Sequence, residues 1–132
     1  MTPVPRIPER FILIDDSEAD NVFHEIMIRR AGFTGELRIF ETGQDALAFL
    51  RQDALTVPTC IFLDINMPAL DGFEVAAQAT PLLDGKPTTV LVMLTSSDAP
   101  SDRERAASLP IIQGFVTKPL TTAAVRAMLA GG

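Results

Sequence analysis

Cys60-Ile61-Phe62-Leu63-Asp64-Ile65-Asn66-Met67-Pro68-Ala69-Leu70-Asp71-Gly72 is the stretch from which the rest of the chain can be read. Its apolar run, residues 60–63, has the character of a strand buried on both faces. The run ends on a lone carboxylate, Asp64, and Pro68, Asp71 and Gly72 then impose a turn. In an open parallel sheet, ligands bind at the carboxyl ends of the strands. Three further polar clusters follow apolar runs in the same way: Asp15-Asp16, Thr95-Ser96-Ser97 and Thr117-Lys118. That recurrence is the main functional signal.

Working outward, Phe11-Ile12-Leu13-Ile14 is a continuous apolar run and residues 89–94 are nearly all apolar, hence both are central strands. Leu37-Arg38-Ile39-Phe40 carries a charge and suits an edge, and residues 112–116 form the last strand. Helices alternate with these strands. The first is capped by Asp16 or Ser17 and closes near residue 31, with Val22, Phe23, Ile26 and Met27 as its expected inner face. His24 on that helix is expected at the surface or partly buried. Thr42 caps a helix over 43–52 packed through Ala46, Leu47 and Leu50. A helix over 72–80 turns Phe73, Ala76 and Ala77 inward, with residues 81–88 as a loop. The helix over 101–109 carries little apolar surface and should pack least firmly. Thr121 or Thr122 caps the last helix, whose stripe is Leu120, Ala124, Val125, Met128 and Leu129. The pattern predicts an α/β, doubly wound (βα)5 three-layer sandwich with a five-stranded parallel sheet. Residues 1–9, with Pro3, Pro5 and Pro8, are expected as a flexible arm, and residues 10–132 as one domain.

Composition narrows the function. A net charge of −6 over 132 residues argues against gripping a phosphate backbone, so no direct nucleic-acid binding is expected. No apolar run approaches the ~20 residues a membrane span needs, and no signal peptide is evident, so a cytoplasmic location is expected. Cys60, the single cysteine, is read as a buried small hydrophobe; one cysteine and one histidine in the whole chain argue against a zinc site.

Asp15, Asp16 and Asp64 at one sheet edge would repel one another unless a cation neutralised them. Mg2+ (or Mn2+) suits such an oxygen site and leaves room for phosphate oxygens. Asp64 can then act as a nucleophile on phosphorus, giving an aspartyl phosphate. Lys118 offers a mobile positive charge, Thr95 a hydroxyl and the Ser96 backbone an N–H for the equatorial oxygens.

The motifs Ile-Leu-Ile-Asp-Asp-Ser, Ile-Phe-Leu-Asp-Ile-Asn-Met-Pro-Ala-Leu-Asp-Gly, Leu-Thr-Ser-Ser and Gly-Phe-Val-Thr-Lys-Pro-Leu occur here in order over residues 10–130. In that order and spacing the sequence closely resembles the receiver domain of bacterial two-component response regulators. The resemblance implies the flavodoxin-like receiver fold with strand order 2-1-3-4-5. It implies Asp64 as phosphoacceptor, Asp16 and Asp64 as direct metal ligands with the Asn66 carbonyl, and Asp15 as a water-mediated ligand. It also implies Lys118 as the partner of Asp64 and its phosphoryl group, and Thr95 and Phe115 as switch residues. Asn66 and Ser97 would tune hydrolysis, and Lys118-Pro119 would be a cis peptide.

The implied activity is that of a stand-alone response regulator. It accepts phosphate from a sensor histidine kinase or a histidine phosphotransfer protein, with bacterial phytochrome-type kinases among the candidate donors. It catalyses its own dephosphorylation and signals through protein contacts, with a homodimer among its candidate states. Pro110, where receivers commonly place Gly, predicts an altered exit from the fourth helix, and the switch aromatic is Phe rather than Tyr. Two alternatives stay open: a phosphorylation-independent binding module, and a haloacid-dehalogenase-like phosphatase. The second lacks its usual Asp two residues past the nucleophile, where Asn66 stands.

Overall fold

A computed structural model describes residues 7–96 and 100–130. Most of the expected arm and Ser97 therefore lie outside the described residues. Strands and helices alternate along the chain: β1 (Arg10–Ile14), α1 (Glu18–Arg30), β2 (Glu36–Phe40), α2 (Gly43–Gln52), β3 (Thr59–Leu63), α3 (Gly72–Leu83), β4 (Thr89–Thr95), α4 (Pro100–Ala107), β5 (Ile112–Thr117) and α5 (Thr122–Leu129). All neighbouring strands pair in parallel, in the order β2-β1-β3-β4-β5.

The alternation of side chains along β1 and β3 builds two cores. Ile12, Ile14, Ile61 and Leu63 face one side and pack with Ala46, Leu47 and Leu50 of α2 and Phe73, Ala76 and Ala79 of α3. Phe11, Leu13, Cys60 and Phe62 face the other and meet Ile28 of α1 and Val125 of α5. Phe11 sits edge-on to Phe33 at 4.7 Å and stacks on Phe62 at 5.9 Å. Cys60 is buried as expected, and burial pushes its thiol up to about 12.

Local signals set most helix starts. Ser17, Thr42 and Thr121 each accept a hydrogen bond from the backbone N–H three residues on, and Asp71 forms a complete capping box with Glu74. The N–H of Ile112 donates to the Leu109 carbonyl at 2.9 Å, closing a turn around Pro110. Proline lies at the second turn position there, where its missing N–H goes unused.

Three expectations are corrected. On α1 the buried residues are Asn21, His24 and Ile28, whereas Val22, Phe23 and Ile26 are 49%, 43% and 42% exposed. Apolar residues occupy 22, 23, 26, 27 and 28, almost right round the helix, so spacing alone could not choose the face. Asn21 turns inward because its side-chain amide donates to the Asp15 carbonyl at 2.8 Å, and His24 follows it into the interior. Next, α3 runs on through Pro81 to Leu83, and Ala77 is exposed rather than inward. The proline deprives only the Ala77 carbonyl of a partner, and that turn faces water. Finally, α4 is shifted to Pro100–Ala107, and Ala106 is its one buried residue.

Candidate functional site

The carboxyl ends of β1, β3, β4 and β5 meet at one edge, and backbone hydrogen bonds fix their approach. The Asp15 N–H donates to the Phe40 carbonyl at 3.0 Å, the Asp64 N–H to Ile14 at 2.9 Å, and the Lys118 N–H to Thr95 at 2.7 Å. The Gly72 N–H donates to Ile65 at 2.8 Å and folds the loop after β3 back on itself. A Cβ on Gly72 would lie 2.3 Å from the Asp64 carbonyl oxygen and 2.8 Å from the Ile65 Cα. Only glycine lets α3 start this close to the strand end.

Asp15, Asp16 and Asp64 each offer a carboxylate oxygen within 4.8 Å of the others. Asp15 and Asp64 are buried, and Asp16 is exposed at the rim. This donor set of hard oxygens, with water access at one side, fits a divalent cation. Burial, followed by the Asp15 charge, pushes the Asp64 carboxyl up to about 6 even though Lys118 pulls it down. Neutralisation by a cation would relieve that strain.

Lys118 reaches back from the end of β5. Its Nζ lies 2.7 Å from Asp15 Oδ2, 2.7 Å from Asp20 Oδ2 and 3.3 Å from Asp64 Oδ1. Burial opposes its charge, but the hydrogen bonds to Asp15 and Asp20 and the charge of Asp64 outweigh it and raise its pKa. Asp15 is held at both oxygens, because Oδ1 accepts from the Ser17 N–H at 2.9 Å. Thr95 is fully buried at the end of β4. Asn66 is exposed in the loop after β3, Ser96 is exposed past β4, and the Lys118-Pro119 bond is cis. Phe115 is half-buried on β5 with the Arg103 guanidinium 4.8 Å above its ring.

The structure thus brings Asp15, Asp16, Asp64 and Lys118 together. Phe115 belongs instead to the surface shared by α4 and β5. Asp20 is the residue that sequence reasoning missed as part of the site. Its hydrogen bond to Lys118 is the first cause of its lowered pKa. The one available signal was its position a single helical turn beyond Asp16. His24, a turn further on, has its pKa lowered by burial first and by the Lys118 charge second.

Residues 11–130 match the family described as response regulator receiver domain. Response regulator Rcp1 of Synechocystis sp. is 34% identical over 93 residues, which cover 67% of this chain and 63% of Rcp1. The matched segment is thus less than two thirds of that relative's length. The crystal structure of a response regulator receiver protein from Dyadobacter fermentans superposes with a TM-score of 0.81 at 32% identity, covering 91% of this chain and 94% of that one. The Mn2+-bound form of Rcp1 superposes with a TM-score of 0.70 at 28% identity, covering 93% and 91%. The carboxylate cluster is able to bind a divalent metal, and a homologue is known with one bound. Among the described residues no helix is long and apolar enough to cross a membrane.

Proposed function

The chain belongs to the response regulator receiver family, and on that premise we propose that Asp64 takes a phosphoryl group from a phosphohistidine donor. The observation that carries this reading is a buried carboxylate at the end of β3, flanked by two more carboxylates and an ammonium group. Family membership removes the haloacid-dehalogenase reading. The domain is a phosphoacceptor that assists its own phosphorylation and dephosphorylation rather than a turnover enzyme.

An Asp64 oxygen attacks phosphorus in line, the bond from phosphorus to the donor imidazole nitrogen breaks, and an acyl phosphate forms. No general base is required, since the nucleophile is a carboxylate. Asp16, Asp64 and the Asn66 carbonyl would hold Mg2+ or Mn2+, with Asp15 acting through water. The cation supplies positive charge to the phosphoryl oxygens. Lys118 offers a second positive charge from its place beside Asp64, and the Thr95 hydroxyl and Ser96 N–H donate to the remaining oxygens. Hydrolysis follows when water attacks the same phosphorus, and Asn66 and Ser97 are the residues to which the resemblance assigns the tuning of that step. Thr95, drawn toward the phosphoryl group, would shift Phe115 and carry the change to α4 and β5.

A sensor histidine kinase or a phosphotransfer protein is the donor this chemistry calls for, and bacterial phytochrome-type kinases are the candidates the motif resemblance favours. The test is incubation with Mg2+ and acetyl phosphate, read by intact mass. Wild type should gain one acid-stable, base-labile phosphoryl group, Asp64→Ala none, and small phosphoesters should not be turned over. Labelling that persists in Asp64→Ala, or no labelling of folded wild type, would overturn the assignment; the latter outcome supports a phosphorylation-independent binding module.

A further inference from the structure

Lys118 is paired with three carboxylates, and the proposed phosphoacceptor is the farthest of them. Its two shortest contacts are to Asp15 and Asp20, both 2.7 Å, while Asp64 is 3.3 Å away. The geometry points to Asp20 as a positioning residue that competes with the phosphoryl group for the Lys118 ammonium. This inference rests on Asp64 being the phosphoacceptor.

The two close partners of Lys118 differ in what it costs to leave them. Asp15 is 5% exposed at its side chain and already bonded to the Ser17 N–H, so losing Lys118 would strand a buried charge. Asp20 is 43% exposed at its side chain, and water replaces the lysine there at little cost. The backbone of Asp20 is fixed independently, because its N–H donates to the Ser17 hydroxyl at 3.2 Å. The side chain can therefore release Lys118 without disturbing the start of α1. When the Asp64 carboxylate becomes an acyl phosphate, the local negative charge grows and moves outward from the end of β3. Lys118 then keeps Asp15 and exchanges Asp20 for a phosphoryl oxygen. Every phosphorylation event on this chain breaks the Asp20 contact, and every hydrolysis restores it. Asp20 thereby opposes phosphorylation and leaves a free carboxylate on α1 in the phosphorylated form.

The test compares labelling rates with Mg2+ and acetyl phosphate in wild type, Asp20→Asn and Asp20→Glu, each also in a Lys118→Met background. Asp20→Asn should label about two- to fivefold faster, the range an exposed ion pair can account for. Asp20→Glu keeps charge and reach and should return most of the way to the wild-type rate. The acceleration must vanish in Lys118→Met, because a general loss of repulsion toward an anionic donor would persist there. An unchanged or slower rate in Asp20→Asn, or equal acceleration in both backgrounds, overturns the inference. The side-chain nitrogen resonance of Lys118 reads the same contact without any donor, and it should move in Asp20→Asn. A wild type that fails to label sinks the phosphoacceptor reading; a resonance that stays put sinks the role of Asp20.

Discussion

The two halves of the sheet are built to different standards. Inside the exposed edge strand β2, every residue of β1 and β3 is buried, the loop after β3 is pinned by Gly72 against backbone atoms, and the acidic cluster sits on top. At the α4 and β5 side the helix buries only Ala106, and no residue of β5 is fully buried. Bulk apolar contact is what makes a segment open rarely, so the first half should hold its atoms in place while the second moves at low cost. Chemistry that needs fixed oxygens has been put on the rigid half. The aromatic Phe115 and the Arg103 over it lie on the half free to rearrange.

Substitutions can break that contrast or sharpen it. The largest effect is expected from Gly72→Ala, whose new Cβ would meet the Asp64 carbonyl oxygen at 2.3 Å. Neither backbone segment can yield, so denaturant unfolding should show a loss on the order of 3 kcal/mol. A smaller effect belongs to the cation. Burial holds the Asp64 carboxyl at about 6, above its usual 3.8, so its contribution to stability is full below that usual value and is lost as pH rises through about 6. At neutral pH the ionised Asp64 carboxylate is thus a liability that a bound Mg2+ would offset. Thermal melts should show stabilisation of about 1.4 kcal/mol at roughly ten times the dissociation constant, absent in Asp16→Ala.

His24 gives a slope of the opposite sign. Its folded pKa is lowered by burial, so the stability it contributes is present above the ordinary value of 6.5 and declines as pH falls below it. His24→Gln should flatten that part of the stability profile, as read by urea unfolding at a series of pH values. Least affected should be Gly114→Ala in β5, where the added carbon meets nothing nearer than Val92 at 3.5 Å. A change of more than about 0.5 kcal/mol would mean that β5 is packed as tightly as β3.

What could be read from the sequence follows the same division. β1, β3 and β4 are continuous apolar runs that stop at polar residues, and a buried parallel strand leaves few other readings of such a run. Once those strands share a sheet, Asp15, Asp16 and Asp64 must converge, because each stands just past the carboxyl end of its strand and β1 and β3 are neighbours. The α1 face was illegible for a different reason. Its phase is set by a hydrogen bond from Asn21 to the Asp15 carbonyl, a polar contact that competes with five apolar residues spread round the helix. Asp20 was hidden by distance along the chain. Its partner Lys118 is 98 positions away, and only the reach of a lysine over the ends of β1 and β3 joins them. Pro81 misled because a proline usually ends a helix, yet here it costs one carbonyl that water can satisfy.

Cys60 turns the rigid half into its own reporter. Its thiol is enclosed in the middle of the sheet and held protonated to about 12, so an alkylating reagent can attack only after β3 has come apart from its neighbours. The rate at which this single sulfur becomes modified is therefore a clock for whole-molecule unfolding, blind to any loosening confined to α4.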